Sequence, residues 1–198
     1  MLRHGQALSA GFTDTVLQSQ ASFHAVMHAM ARPGEIRAIA GVATAPSPLH
    51  PVMAAVALTL LDFETTLWCG SAGERAEAWF KFHTGTRLTS APAQADFALI
   101  LDTDAMPAPS EWKLGTDVFP DRSTTLVIPV TRFEAGPAFR FAGPGIETNR
   151  VVRIDGLPQR LITGWAGNRA LFPRGIDVIL TGADAVMCLP RTLHIEEI

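Results

Sequence analysis

Apolar positions follow two rhythms along the chain. Residues 14–31 place Phe23, Val26, Met27 and Met30 at the spacing of one helical face, which predicts a buried stripe, with Thr13 or Asp14 as the cap. Pro33 and Gly34 break that pattern, and a short strand is expected at 35–39. After a loop with Pro46, Pro48 and Pro51 comes a helix over about 51–61, apolar on nearly all sides and so expected to be buried on more than one. TTLWC (65–69) reads as a strand, GERAEAWFKFHTG as a short amphipathic helix ending at Gly85, and ADFALIL (95–101) as a buried strand.

The second half is denser in strands. Residues 102–122, rich in Asp, Pro and Ser, read as a long surface connection with one helical turn. TTLVIPV (124–130), AFRFAG (138–143) and RVVRI (150–154) are strands set apart by Gly and Pro turns, and a helix is expected near 158–170. IDVIL and AVMCLP then form a hairpin about TGAD, with Ile176 roughly opposite Pro190. Strands alternate with helices early, but later ones follow too closely for helical crossovers. The expected fold class is therefore α/β: a mixed central sheet flanked by helices, in a single domain over 1–198.

Composition narrows the picture. The 198 residues carry 47% hydrophobic and 18% charged side chains, which is globular rather than disordered. A net charge of −3 argues against bulk nucleic-acid binding. The run PVMAAVALTLL is too short to span a bilayer, and the N-terminal stretch lacks an apolar signal core, so a cytoplasmic protein is expected. Cys69 and Cys188 are distant in sequence and sit in apolar contexts, which reads as buried reduced thiols, with neither a metal signature nor an iron–sulfur ligand set.

Candidate chemistry gathers at the open end of the last hairpin, where FPRG and PRTLH converge. Arg174, Asp177, Arg191 and His194 meet there. A carboxylate beginning an apolar strand needs a partner, and Arg174 or Arg191 can reach Asp177. Two readings are open: an ion pair that ties the strand end down, or an arginine site for a phosphate or phosphonate. His83 in KFHTGTRL is a further candidate as acid, base or phosphate donor, or as a structural hydrogen-bond donor. His24 and His28 lie one helical turn apart without a third ligand, which favours solvent-facing positions over a metal site. Neither Lys81 nor Lys113 is placed for a Schiff base, and no nucleophile–base–orienter set is legible.

Six segments occur in a telling order: MHAMARPGEI, LTLLDFETTLW, FHTGTRL, GPGI, FPRGIDVIL and PRTLHIEE. Together they resemble the H subunit of the bacterial carbon–phosphorus lyase system. The resemblance implies a fold related to the large domain of pyridoxal-phosphate-dependent transferases, without that cofactor. It further implies a homodimer in isolation, a core complex with G, I and J subunits, and ATP and an alkylphosphonate as substrates of that complex. On this reading the chain is a non-radical subunit acting mainly in assembly; the alternatives are a direct nucleotide- or phosphonate-binding module and a pyridoxal-phosphate-type transferase.

Overall fold

A computed structural model describes residues 10–70 and 74–198. Four α-helices and ten strands are formed by these residues: α1 (Thr15–Ala31), β1 (Arg37–Ala38), α2 (Pro51–Leu60), β2 (Thr66–Trp68), α3 (Glu74–Thr84), β3 (Arg87–Leu88), β4 (Phe97–Leu99), β5 (Thr125–Pro129), β6 (Arg132–Ala142), β7 (Arg150–Asp155), α4 (Gln159–Ala170), β8 (Asp177–Thr181), β9 (Ala185–Leu189) and β10 (His194–Glu197). Seven strands make a central sheet in the order β1-β9-β8-β5-β4-β2-β3. β3, β2, β4, β5 and β8 run parallel, while β9 is antiparallel to both its neighbours. The fold is α/β, and its central sheet is mixed and flanked by helices.

Expectation and structure differ on the later strands. β6 and β7 do not extend the central sheet; with β10 they form a separate antiparallel sheet in the order β10-β6-β7. Two strands lacked a sequence signal: β3 is only Arg87–Leu88, and β10 reads HIEE, with charges where a buried strand carries apolar groups. The last hairpin is paired one residue away from expectation, with Val178 opposite Leu189, which places Ile176 level with Arg191 rather than Pro190.

Strand alternation sorts the apolar side chains into two cores. Leu67, Leu99, Val127, Ile179, Val186 and Cys188 face α1–α3 and pack with Val52–Ala57, Trp79 and Phe80. Ala98, Ile100, Leu126, Ile128, Val178, Leu180 and Met187 face the other way, against Phe139 and Phe141 of the small sheet and Leu161 and Trp165 of α4. The central sheet is thus buried on both faces, which explains why ADFALIL and IDVIL are apolar almost without interruption. The connection 102–122 contributes to this second core through Met106 and Trp112, so it is not merely a surface loop.

α1 begins where its cap predicts, with the Asp14 carboxylate accepting from Leu17 N–H at 3.0 Å. Its buried face is the expected one only in part: of the predicted stripe, Val26 is buried and Met30 packs partly buried against the first core. Ser22, Val26 and Ala29 are buried, whereas Phe23 and Met27 are 48% and 47% exposed. Small residues let α1 approach its neighbours closely, and the helix turns Phe23 and Met27 outward. α2 is buried from Val52 to Ala57, as its uniform apolarity requires, and His24 and His28 are exposed.

Candidate functional site

Asp177 and Arg191, singled out by sequence, occupy the amino end of the parallel strands. Asp177 opens β8, and Arg191 follows the antiparallel β9, so both arrive at the same edge. Arg191 Nε donates to Asp177 Oδ1 and Oδ2 at 3.2 and 3.1 Å, and Nη2 also reaches Oδ2. Nη1 donates to the carbonyls of Pro120 (2.7 Å) and Pro173 (3.2 Å), and Nη2 to Ser123 Oγ (2.6 Å). Asp177 Oδ1 further accepts the backbone N–H of Arg191 at 2.7 Å. A guanidinium has five N–H donors, and these contacts use them all. The pair retains only 14% and 20% side-chain exposure. It clamps β8 and β9 to the ends of two loops and leaves Arg191 no donor for a ligand.

Arg174 does not join this cluster. Its Nε lies 3.1 Å from Asp117 Oδ1, an ion pair whose N–H is not aimed for a hydrogen bond, and Asp117 is 78% exposed. The three residues FPRG and PRT bring near one another therefore split into a closed knot and an open, screened pair. His194 opens β10 opposite Ala142, exposed on the small sheet. His83 sits at the end of α3, half-buried, its ring 4.6 Å from Trp79 and 5.0 Å from Phe82. Because α3 returns from the end of β2 to the start of β3, His83 also lies toward the amino end.

The amino end holds other closed contacts. Lys113 Nζ meets Asp96 Oδ1 at 2.6 Å, Asp96 Oδ2 accepts Thr66 N–H at 2.9 Å, and buried Thr124 donates to the Ala95 carbonyl at 2.7 Å. The recognisable glycine turns also meet. A Cβ on Gly145 of GPGI would stand 2.3 Å from the Ala31 carbonyl, and Arg150 Nη1 donates to the Pro33 carbonyl at 3.1 Å, so GPGI and RPGE form one joint between the two sheets.

The carboxyl end of the strands is differently made. A cleft of about 440 Å³ lies there, lined by Trp68 at the end of β2 and Gly70 just beyond it, Glu77 of α3, and Leu88, Thr89 and Ser90 at the end of β3. In open α/β sheets, ligands are held outside the carboxyl ends of strands, where successive connections leave in opposite directions. From β2 the chain leaves toward β3; from β4 it leaves toward β5. Trp68 stands at that divergence, braced edge-on by Trp112 with ring centroids 5.1 Å apart and planes at 88°. Sequence reasoning missed this cleft because one of its walls depends on β3. The available signal was two strand ends that each run into small residues, WCG and LTS.

Both cysteines are buried thiols, as expected. Burial pushes both pKa values up, and a nearby carboxylate adds to the effect: Glu77 for Cys69 and Asp177 for Cys188. Among the described residues no group of three or more His, Cys, Asp or Glu is arranged to hold a metal ion, and no helix is long and apolar enough to cross a membrane.

This layered α/β architecture, with a closed charge knot at one end of its sheet and an open cleft at the other, has known relatives. Residues 10–196 match the family described as bacterial phosphonate metabolism protein, PhnH. The alpha-D-ribose 1-methylphosphonate 5-triphosphate synthase subunit PhnH of Rhizobium meliloti (strain 1021) is 41% identical over 198 residues, covering 99% of each chain. A putative C-P lyase subunit protein, HtxG, of Stutzerimonas stutzeri is 39% identical over 87 residues, or 42% of this chain and 43% of that protein. The chain belongs to the PhnH family.

Proposed function

We propose that the chain is a non-radical subunit of a carbon–phosphorus lyase assembly, required for joining an alkylphosphonate to the ribose of ATP. In that reaction a phosphonate oxygen attacks the ribose C1′, the bond to the base breaks, and adenine departs with the electron pair and takes up a proton. The product is a ribose 1-alkylphosphonate 5-triphosphate. The observation that carries this reading is the end-to-end similarity to a synthase subunit, 41% over 99% of both chains.

The chain's own share is mainly assembly. Arg191, one of the two arginines considered for an anion, spends every donor inside the fold. Meanwhile large apolar side chains remain on the surface, among them Val16, Phe23 and Met27 on α1, and Val118, Phe119 and Phe172 beside the amino end. Such surfaces suit contacts with the G, I and J subunits and, in isolation, with a second copy. The reading includes a cytoplasmic setting and a fold akin to the large domain of pyridoxal-phosphate transferases, used without that cofactor and without an iron–sulfur cluster.

Reconstituting the synthase from purified subunits, with and without this chain, tests the proposal. Adenine release and triphosphate product are expected only when it is present, together with co-purification in a stable complex. Full activity in its absence, or failure to co-purify with any partner, overturns it.

A further inference from the structure

The cleft at the carboxyl end offers chemistry that the assembly role does not use. Its apolar wall comes from Trp68 and Leu88. Its polar groups are the Glu77 carboxylate and the Thr89 and Ser90 hydroxyls. Thr89 Oγ1 accepts Ala91 N–H at 3.1 Å and is partly occupied. Glu77 and Ser90 have no side-chain hydrogen bond or ion pair with any described residue. Glu77 is half-buried on α3 and lines the cleft, and it makes no ion pair with a cation among the described residues.

The wall is held in place before any ligand arrives. Trp112 braces Trp68 from the connection that follows β4. Gly70 has φ +66, and a Cβ there would come within 3.0 Å of the Trp68 ring. Only glycine keeps the backbone so close to the indole in that conformation. The volume, about 440 Å³, is within the usual range for small-molecule sites.

The charge decides what kind of molecule fits. An ionised carboxylate only accepts hydrogen bonds, so its partner must bring N–H or O–H donors. Phosphate is disfavoured, because the charged side chain that lines the cleft among the described residues has the same sign. A flat ring with an amine at its edge satisfies both walls: the ring against Trp68 and Leu88, the amine at Glu77. We propose that this cleft binds an amine-bearing nucleobase, with Glu77 accepting from the exocyclic amine. The proposal rests on the reading above that ATP is a substrate of the assembly, and it assigns this chain the base end of that nucleotide, with the phosphates outside the cleft.

Tryptophan fluorescence titrations of the full chain with adenosine, inosine and ribose 5-phosphate test it. Inosine carries a carbonyl where adenosine carries the amine, so it sets an acceptor against the carboxylate. Saturable adenosine binding is expected, with inosine at least about tenfold weaker and no response to ribose 5-phosphate. Glu77→Gln gives the site a donor as well as an acceptor, and should narrow the gap between the two nucleosides. Leu88→Arg, at an exposed sheet-edge position, should abolish adenosine binding while the unfolding midpoint stays put.

Absence of saturable adenosine binding overturns the proposal. So does equal affinity for inosine, or unchanged binding in a folded Leu88→Arg protein. The two readings fail separately: a synthase that needs this chain, in a protein blind to adenosine, removes the base site and keeps the subunit role. Adenosine binding by a chain that the synthase can do without removes the subunit role and keeps the cleft.

Discussion

The two ends of the central sheet handle polar groups in opposite ways. At the amino end, most charges are closed off, with Arg174–Asp117 the open exception: Arg191 meets Asp177, Ser123 and two carbonyls, and Lys113 meets Asp96. At the carboxyl end, Glu77 and Ser90 border a cleft without partners among the described residues. A dense group of charges in a sequence therefore marks a fastening here, whereas the sparse polar groups mark the place with binding capacity left over. The physical distinction is saturation. A guanidinium with five satisfied donors stabilises the fold but has nothing to offer a ligand.

The largest effect should come from opening the knot. Arg191→Ala leaves the Asp177 carboxylate largely buried without its partner, and should destabilise the protein by about 3–5 kcal/mol in urea unfolding. A loss below about 1 kcal/mol would erase the contrast between the two ends. Arg191→Lys should recover only part of the loss, because an ammonium cannot reproduce the fork that spans Asp177, Ser123 and the carbonyls.

Ser123→Ala removes one acceptor from the same network and should cost about 1 kcal/mol. Arg174→Ala should cost less, within about 1 kcal/mol, since Asp117 is 78% exposed and the pair is screened by water and salt. If Arg174→Ala proves as damaging as Arg191→Ala, the two arginines act as one unit, contrary to their separate partners. At the other end, Glu77→Gln should move stability by no more than about 0.5 kcal/mol, because the carboxylate makes no hydrogen bond or ion pair with the described residues.

The thiols report on both ends at once, since Cys69 feels Glu77 and Cys188 feels Asp177. Burial raises both folded pKa values, so the folded state keeps these protons when the unfolded chain releases them. Stability from this source is fully present below the unfolded thiol value and declines above about pH 9. A Cys69→Ser/Cys188→Ser double variant should show a flatter decline of the urea midpoint between about pH 8 and 10. The native protein should also react slowly with a thiol reagent at pH 8 until denaturant is added, as expected for buried, protonated sulfur.

Much of the fold was legible before any coordinates. Uninterrupted apolar runs such as ADFALIL and IDVIL signal strands covered on both faces, and the Asp14 cap, Pro51 start and Gly85 stop bracket their helices. These signals are local: they depend on backbone propensity and on side-chain period within a few residues. They also sufficed to place Asp177 near an arginine, because hairpin register follows from a short turn.

What the local pattern could not supply was the neighbour. The stripe of Phe23, Val26, Met27 and Met30 on α1 has helical period, yet only Val26 and Met30 of it pack inward, beside Ser22 and Ala29, while Phe23 and Met27 stay exposed. Choosing between Arg174 and Arg191 as the partner of Asp177 required the path of the 114–123 loop, which delivers Asp117 to one and Ser123 and Pro120 to the other. The cleft needed two strand ends, a helix and a pair of indoles from four separate stretches of chain. Period and propensity act over a turn or two of backbone, so they specify elements. Which side chains are satisfied and which stay open depends on contacts between residues far apart in sequence, and those exist only once the layers have closed.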